Sequence, residues 1–352
     1  MVEWKKLGEV CGIKTGKGIT QKDCTDDGIY PVISGGQSPM GMYHTYNREA
    51  NTVTISRVGA YAGFVSYINE KFYLNDKCFS IIPIDKEILG AKFLYCLLKN
   101  QEEVIKKLQS EGGVPTINTQ KLSNLSIPLP SQTKQTRIVG ILDTFTASIE
   151  NLKKQIAERR KQYEHYRDQL LDLEGKEGVE MKTLPQVSTN CDRERKPITS
   201  SKRVSGIYPY YGASGIVDYV DGYIFDGDYL LISEDGANLL ARTTPIAFSI
   251  KGKNWVNNHA HVLLFKERVT QKFVEIYLNM INLEPWINGA AQPKLNQDNL
   301  NRIEIPFPSL DEQSRIISIL DTFEASIANL EAQLKLREKQ YEYYRNQLLT
   351  FN

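Results

Sequence analysis

Few residues of this chain are spaced for covalent chemistry, and those that come nearest fail on detail. Asn258-His259-Ala260-His261 could supply two metal ligands, but an alternating strand carrying unrelated polar residues is the simpler account. Asp226, Asp228, Glu234 and Asp235 could hold a divalent cation as in a metal nuclease, yet no Glu-x-Lys partner follows them, and acidic turn residues account for them as well. Gly12-x-x-x-Gly16-Lys17 resembles a phosphate-cradling loop, but its spacing is one residue short and Gly18 stands where Ser or Thr is needed. His44 and His165 have no triad partners in view. No catalytic residue and no metal site are assigned.

A second chemistry, hydrogen bonding to a charged polymer, is better represented. Lys14, Lys17 and Lys22 occur with no acid between Val10 and Lys22. Arg193, Arg195, Lys196, Lys202 and Arg203 cluster within eleven residues beside Glu194. Such side chains suit phosphate contacts that position a domain without reading sequence; ordinary solvated loop lysines are the bland alternative. Base edges are read by Arg, Lys, Asn, Gln or Ser on turns that reach a groove. Ser34, Gln37, Ser56, Arg57 and Tyr61 are candidates in the first part of the chain, and Ser214, Asn238, Arg242 and Lys294 in the second. Gly35, Gly36, Gly59 and Gly236 would let backbone approach a ligand closely.

The bulk properties neither support nor forbid this. The 352 residues are enough for about two domains. With 41% hydrophobic and 24% charged residues the composition is that of a globular protein, which excludes a wholly disordered or fibrous chain. No run of about 18 apolar residues predicts a membrane span. The opening MVEWKKLGEV lacks the apolar core of a signal peptide, so a cytoplasmic location is expected. Five scattered cysteines without a CxxC pair argue for free thiols in a reducing compartment. The net charge is only +1: +2 over residues 1–133, +1 over 134–174, zero over 175–310 and −2 over 311–352.

What organises these candidates is a duplication. Residues 127–171 and 305–349 align without a gap at an offset of 178, with 28 of 45 positions identical. The same offset pairs Tyr30-Pro31 with Tyr208-Pro209 and Pro115-x-x-Asn118 with Pro293-x-x-Asn296, while EWKKLGEV at 3–10 faces EMKTLPQV at 180–187 one residue out of step. The chain is therefore two halves, about 1–176 and 177–352, and the two cationic clusters fall at corresponding places. Each half begins as mixed α/β. Asn51–Ser56 and Asp228–Ser233 read as strands followed by Gly-bearing turns, and 91–109 and 270–281 carry helical periodicity.

Each half ends in a long predicted helix. Pro130-Ser131 and Pro308-Ser309 precede the two helices, and Ser309-x-x-Glu312 has the form of a capping box. Leu142, Phe145, Ile149, Leu152, Ile156, Arg159, Tyr163, Tyr166 and Leu170 alternate spacings of 3 and 4, and Leu320, Phe323, Ile327, Leu330, Leu334, Arg337, Tyr341, Tyr344 and Leu348 repeat them. A 3.5-residue period of this length predicts a left-handed coiled coil. Arg159 and Arg337 interrupt both seams at one place, either fixing register or packing their stems with their heads in water. Homologous helices pair most simply antiparallel. Helices over 137–171 and 315–349 would make a rod about 52 Å long, or roughly 15 base pairs of B-DNA, with a variable domain at each end. On this symmetry Asn352 is expected near Met1, and a permuted chain reopened within 174–179 is expected to fold.

These residues resemble the specificity subunits of type I restriction-modification enzymes. The resemblance is carried by W-K-x-L-G-E-V (4–10), YPVISGGQ (30–37), TISRVGAYAG (54–63), QPKL (292–295), and I-P-x-P…Q-x-R-I…I-L at 127–142 and 305–320. It covers the full chain, and its most specific part is the order reader, helix, reader, helix. It departs at GGVPTIN (112–118), where the second half has GAAQPKL (289–295). The resemblance implies an α+β fold of two mixed α/β target recognition domains, 1–130 and 176–308, separated by two long antiparallel coiled-coil helices, 131–175 and 309–352. It implies a non-catalytic subunit that reads a bipartite double-stranded DNA site, one half per domain, and docks two methyltransferase subunits, joined by restriction/translocase subunits when present. No S-adenosylmethionine loop, Asn-Pro-Pro-Tyr motif or helicase nucleotide site occurs in the chain, so S-adenosylmethionine, ATP and Mg²⁺ are expected in partner subunits, with no cofactor here. Gln162, Glu164, Arg167 and Gln169 match Gln340, Glu342, Arg345 and Gln347 off the seam, which fits two copies of one partner on two equivalent surfaces. A coiled-coil interaction scaffold with no DNA role is the competing reading. The near-neutral charge also predicts weak DNA binding by the isolated chain.

Overall fold

The computed structural model describes residues 2–110, 113–289 and 291–351. Met1 and Asn352, whose proximity the duplication predicts, lie outside the described residues, as do Glu111, Gly112 and Ala290 in or beside the two motifs that differ between the halves. The chain divides into two compact units, Met1–Lys154 with Glu331–Asn352, and Gln155–Leu330. Each is mixed α/β.

The first unit is built on a four-stranded antiparallel sheet in the order Cys11–Thr15, Cys78–Pro83, Thr52–Ser56, Val65–Ile68. Thr52–Ser56 is interior and buried throughout, which suits its β-branched residues. The helix Ala91–Asn100 buries Phe93, Leu94, Leu97 and Leu98 in the same core as Val53, Ile55 and Phe79. The helical reading of 91–109 breaks at Gln101, where a one-turn helix Glu102–Lys106 follows. A smaller sheet pairs Tyr30–Ile33 antiparallel with Met42–Tyr43 and parallel with Tyr73–Leu74.

The second unit carries a six-stranded sheet in the order Ser188–Asn190, Ala260–Phe265, Phe225–Ser233, Ala247–Val256, Ser205–Gly212, Gly215–Val220. The helix Arg268–Met280 buries Phe273, Val274, Ile276 and Leu278. The strand read from Asp228 begins earlier, at Phe225, so Asp226 as well as Asp228 sits within it rather than on a turn, opposite Lys253 and Lys251.

The duplication is legible in hydrogen bonds. In the first unit Glu3–Lys6 pairs with Ser126–Leu129, Trp4 opposite Pro128; in the second Glu180–Thr183 pairs with Glu304–Phe307, Met181 opposite Pro306. The opening motif caps itself in both: the Lys6 N–H donates to Glu9 Oε2 at 3.1 Å, and the Thr183 N–H to Gln186 Oε1 at 2.7 Å. The two-stranded ribbons lead directly into the long helices Gln132–Leu171 and Leu310–Leu349. Both start five residues before the expected 137 and 315. At Ser309 only half of a capping box forms: its hydroxyl accepts from the Glu312 N–H at 3.3 Å, while the Glu312 carboxylate pairs instead with Arg315 at 2.7 Å.

A buried glutamine welds each helix start to its own domain. Gln135, 2% exposed, accepts from the Gly90 N–H at 3.0 Å and donates to Ile88 O at 2.8 Å and Pro130 O at 2.9 Å. Gln313, fully buried, donates to Pro308 O and accepts from Thr270 Oγ1, both at 2.9 Å. These bonds satisfy buried polar groups of the loops and helices packed against each helix start. Within the first unit the start of one long helix packs on the end of the other, with Phe145 stacked on Tyr344 at 5.3 Å. In the second unit the equivalent residues, Phe323 and Tyr166, stack at the same distance. Among the described residues no helix is long and apolar enough to cross a membrane.

Candidate nucleic-acid interface

The sequence candidates converge on one local arrangement that occurs in both units. After the central strand of each sheet the chain turns through a glycine and is clasped by the Pro-x-x-Asn segment. In the first unit Arg57 N donates to Lys77 O at 2.8 Å, Ile117 N to Arg57 O at 2.9 Å, and Gly59 N to Pro115 O at 2.9 Å. In the second, Glu234 N donates to His259 O at 2.9 Å, Leu295 N to Glu234 O at 2.8 Å, and Gly236 N to Pro293 O at 3.1 Å. Gly59 and Gly236 have φ of +103° and +107°, which a side chain rarely adopts, and a Cβ on either would meet open space. The turn is therefore shaped by backbone and faces outward. Asn118 and Asn296 then cap the short helices that follow, accepting from Gln120 N at 2.7 Å and Asn299 N at 2.9 Å.

The side chains on this shared frame differ. In the first unit Arg57 donates to Asp76 O at 3.2 Å, Tyr61 is 47% exposed, and Gln37 is exposed nearby in chain order after Ser34. Ser34 and Ser56 are buried, and with Gln37 they line a cavity of 140 Å³ between the two sheets. These two serines face that cavity rather than an open surface. Gly35 is required by packing, since a Cβ there would lie 2.6 Å from Val58 O.

In the second unit Ser214 is exposed at a hairpin tip, and the neighbouring Ala213 O accepts from Ser233 Oγ. Lys294 is half exposed and reaches Glu234 Oε1 at 3.1 Å. Asn238 and Arg242 serve the fold. Asn238 Oδ1 accepts from Thr243 Oγ1 and Thr244 N, and the Arg242 guanidinium donates to the carbonyls of Leu278 and Ile281 at the end of the helix Arg268–Met280.

The cationic clusters divide in the same way. Lys14, Lys17, Lys22, Arg193, Lys196 and Lys202 are exposed. Arg203 is bound to Asp218 at 3.2 Å with its guanidinium 4.4 Å from the Tyr210 ring centre. Arg195 is committed to the interior: Nη1 lies 2.6 Å from Glu234 and 2.7 Å from Ala260 O, and Nη2 3.4 Å from Asp192. The phosphate-loop reading of Gly12–Lys17 has a packing explanation, because Gly16 lies against Leu74, where a Cβ would meet the carbonyl oxygen at 1.8 Å, and Lys17 N donates to that same oxygen.

Sequence reasoning misses a buried charge cluster. His261 is 1% exposed; its Nδ1 lies 2.6 Å from Asp192 Oδ2 and its Nε2 2.7 Å from Leu295 O. Burial pulls the Asp192 carboxyl upward, but the hydrogen bond and charge of His261, the Val262 N–H and Arg195 outweigh it and hold the group below its ordinary range. Glu234 is likewise held low, burial being outweighed by Arg195, His261 and Lys294. His259 pairs separately with Asp235 at 2.8 Å, so the two histidines go to different carboxylates. The one available signal is the polar His261 inside the strand-forming run AHVLLF.

The off-seam residues stand as follows. Gln162, Glu164, Gln169, Glu342 and Gln347 are exposed, and Gln340 is partly so. Arg167 pairs with Asp168 at 2.7 Å. Arg345 and Glu342 line a 620 Å³ cleft of the first unit with Asp143 and Lys153, and Arg345 Nε is buried without a hydrogen-bond partner among the described residues.

The mixed α/β units with their clasped turns define a protein built from two copies of one recognition-type domain, and the comparisons agree. The family described as type I restriction modification DNA specificity domain matches residues 1–159 and again 176–337, so the chain belongs to that family. A type I restriction enzyme specificity subunit of Haemophilus influenzae is 43% identical over 188 residues, 51% of this chain and 48% of that protein. A type I specificity subunit of Mycoplasma pneumoniae is 30% identical over 71% of this chain and 95% of its own length. Among solved structures, the S subunit of a type I restriction-modification system from M. genitalium is similar with a TM-score of 0.68 over 100% of this chain and 97% of that one, at 20% identity.

Proposed function

We propose that this chain is the non-catalytic, DNA-reading subunit of a cytoplasmic type I restriction-modification complex. Its recognition domains, residues 1–130 and 176–308, each read half of a bipartite double-stranded DNA site. The helical segments 131–175 and 309–352 pair as an antiparallel coiled coil that sets the spacer and docks two methyltransferase subunits, joined by restriction/translocase subunits when present. S-adenosylmethionine, ATP and Mg²⁺ belong to those partners. The observation that carries the reading is the repetition of one glycine-turn clasp, with the same backbone hydrogen bonds and different side chains, in two duplicated domains. A shared frame with divergent tips is what two readers of different sequences require.

Within each domain the exposed Lys14, Lys17, Lys22, Arg193, Lys196 and Lys202 contact phosphates, and Arg57, Tyr61, Gln37, Ser214 and Lys294 face base edges. Gln162, Glu164, Arg167 and Gln169, with Gln340, Glu342, Arg345 and Gln347, form the two docking surfaces. Co-expression with the cognate methyltransferase subunit and genome-wide mapping of methylated adenines tests this. The expected result is a bipartite motif, one half of which changes when residues 1–125 are exchanged for those of a relative. Retained protein partners with no sequence-specific methylation would favour a scaffold instead.

A further inference from the structure

Glu234 and Arg57 occupy the same position of the clasp, and Lys294 and Thr116 occupy the position facing them. The backbone bonds are equivalent: each of the first pair donates to a neighbouring strand end, and each accepts from the residue after the second. In the first domain this frame carries its cation just after the strand, as Arg57. In the second that position is an acid, and the cation comes from the opposite side of the clasp, Lys294 Nζ being 3.1 Å from Glu234 Oε1.

The acid is not free to move. Glu234 Oε2 accepts from Arg195 Nη1 at 2.6 Å, and Arg195 also holds Ala260 O and lies 3.4 Å from Asp192. Asp192 Oδ1 accepts from Val262 N at 2.8 Å, while Oδ2 lies 2.6 Å from His261 Nδ1 and accepts from Asn190 Nδ2 at 3.2 Å. The other ring nitrogen faces Leu295 O, the carbonyl next to Lys294. His261 thus bridges the Asp192 carboxylate to the Leu295 carbonyl through its two ring nitrogens. Buried Arg195 is shared by the two buried carboxylates, and the Lys294 ammonium is the part of the cluster that faces outward. One end of the cluster holds the Lys294 ammonium, and the other holds the carbonyl of Leu295, the next residue.

Resting on the reading of the chain as a DNA-sequence reader, we propose that Glu234, backed by Arg195, Asp192 and His261, is a positioning residue that aims Lys294 at one base pair of the second half-site. Lys294 is a specificity determinant there, and its functional counterpart in the first domain is Arg57. A lysine held by a buried acid loses the rotamer freedom that makes exposed lysines indiscriminate contacts.

The test uses the chain co-expressed with its methyltransferase subunits and the methylation pattern of host genomic DNA. Lys294→Ala is expected to relax discrimination at a single base pair of the second half-site about tenfold, leaving the first half-site unchanged. Glu234→Gln is expected to relax the same base pair, and Glu234→Gln in the Lys294→Ala background to add nothing. Lys294→Ala that leaves the second half-site intact overturns the inference, as does Glu234→Gln acting at a different base pair or additively. If Glu234→Gln lowers the yield of complex, Lys294→Ala, whose side chain is half exposed, decides alone. A wild-type complex that methylates no bipartite motif overturns the DNA-reading function itself and is distinguishable from either result.

Discussion

Arg337 lays its guanidinium over the ring of Phe145, Cζ standing 5.6 Å from the ring centre. The duplicated pair, Arg159 and Phe323, repeats this at 5.8 Å in the other unit. Each ring also stacks on a tyrosine, Tyr344 or Tyr166. At the position where an arginine interrupts each heptad pattern, the partly buried guanidinium lies against an aromatic face. A cation over a partly exposed ring contributes about 0.5–1 kcal/mol, while the ring itself supplies the larger apolar contact.

Replacement of the two partners should therefore be unequal. Arg337→Met keeps the packed stem and is expected to shift stability by less than about 1 kcal/mol. Phe145→Ala removes the ring that both Arg337 and Tyr344 use and is expected to cost about 3 kcal/mol. Urea unfolding midpoints measure both, and an equal loss would show that the charge rather than the ring holds the seam.

The glutamines at the helix starts give a second expectation. Gln135→Ala leaves the Gly90 N–H and the carbonyls of Ile88 and Pro130 without their side-chain partner in a buried site. About 2–3 kcal/mol should be lost. Gln135→Glu can still accept from Gly90 but cannot donate to the carbonyls, so it should be no better than alanine. Thermal midpoints of the two variants, with Gln313→Ala alongside, check this; a Glu variant as stable as wild type would refute the assigned geometry.

Much of this architecture is legible in the sequence because duplication makes pattern visible. The offset of 178 by itself locates both long helices, both Pro-x-x-Asn segments and both cationic clusters. Repetition cannot distinguish surface from interior within a cluster. Arg195 and Lys196 are adjacent in sequence, yet one is locked between Glu234 and Asp192 and the other is exposed. Glu234 lies 39 positions from Arg195 and Asp192 lies 69 from His261, and no local spacing encodes such pairings. Arg242 follows a turn, as a base reader would, but its work is to cap a helix whose end lies 39 residues away. Gln135 and Gln313 belong to a repeated motif, but their role depends on carbonyls brought in by folding.

The buried carboxylates make the second unit acid-sensitive in a defined window. Asp192 and Glu234 both have folded-state values held below the ordinary carboxylate range. A depressed value means the stabilisation is present above the unfolded value, about 4, and is lost as pH falls through the folded one. Thermal midpoints between about pH 7 and 3 should thus fall most steeply below about pH 4. Asp192→Asn should be less stable at about pH 7 and show a shallower acid limb. A parallel pair of curves would mean that Asp192 gains nothing from its partners.

The exposed lysines and the clasp arginine should separate affinity from specificity. Lys14, Lys17 and Lys22 are exposed, and none has a salt-bridge partner among the described residues, whereas Arg57 is fixed by Asp76 O on the clasp. Neutralising a lysine that contacts a phosphate removes the release of about one counterion, so affinity falls alike for all sequences. With the methyltransferase-bound complex, the triple substitution of these lysines by alanine should lower the slope of log affinity against log salt by about one per lysine that touches DNA, with the ratio of cognate to non-cognate binding unchanged. Arg57→Ala should leave the slope nearly unaltered and cost about 1–3 kcal/mol against the cognate base pair of the first half-site only. Fluorescence anisotropy titrations from about 50 to about 200 mM salt, on cognate duplexes and on duplexes altered at one base pair, resolve the two. Loss of specificity from the lysine variant, or uniform loss from Arg57→Ala, would reverse the roles assigned to them.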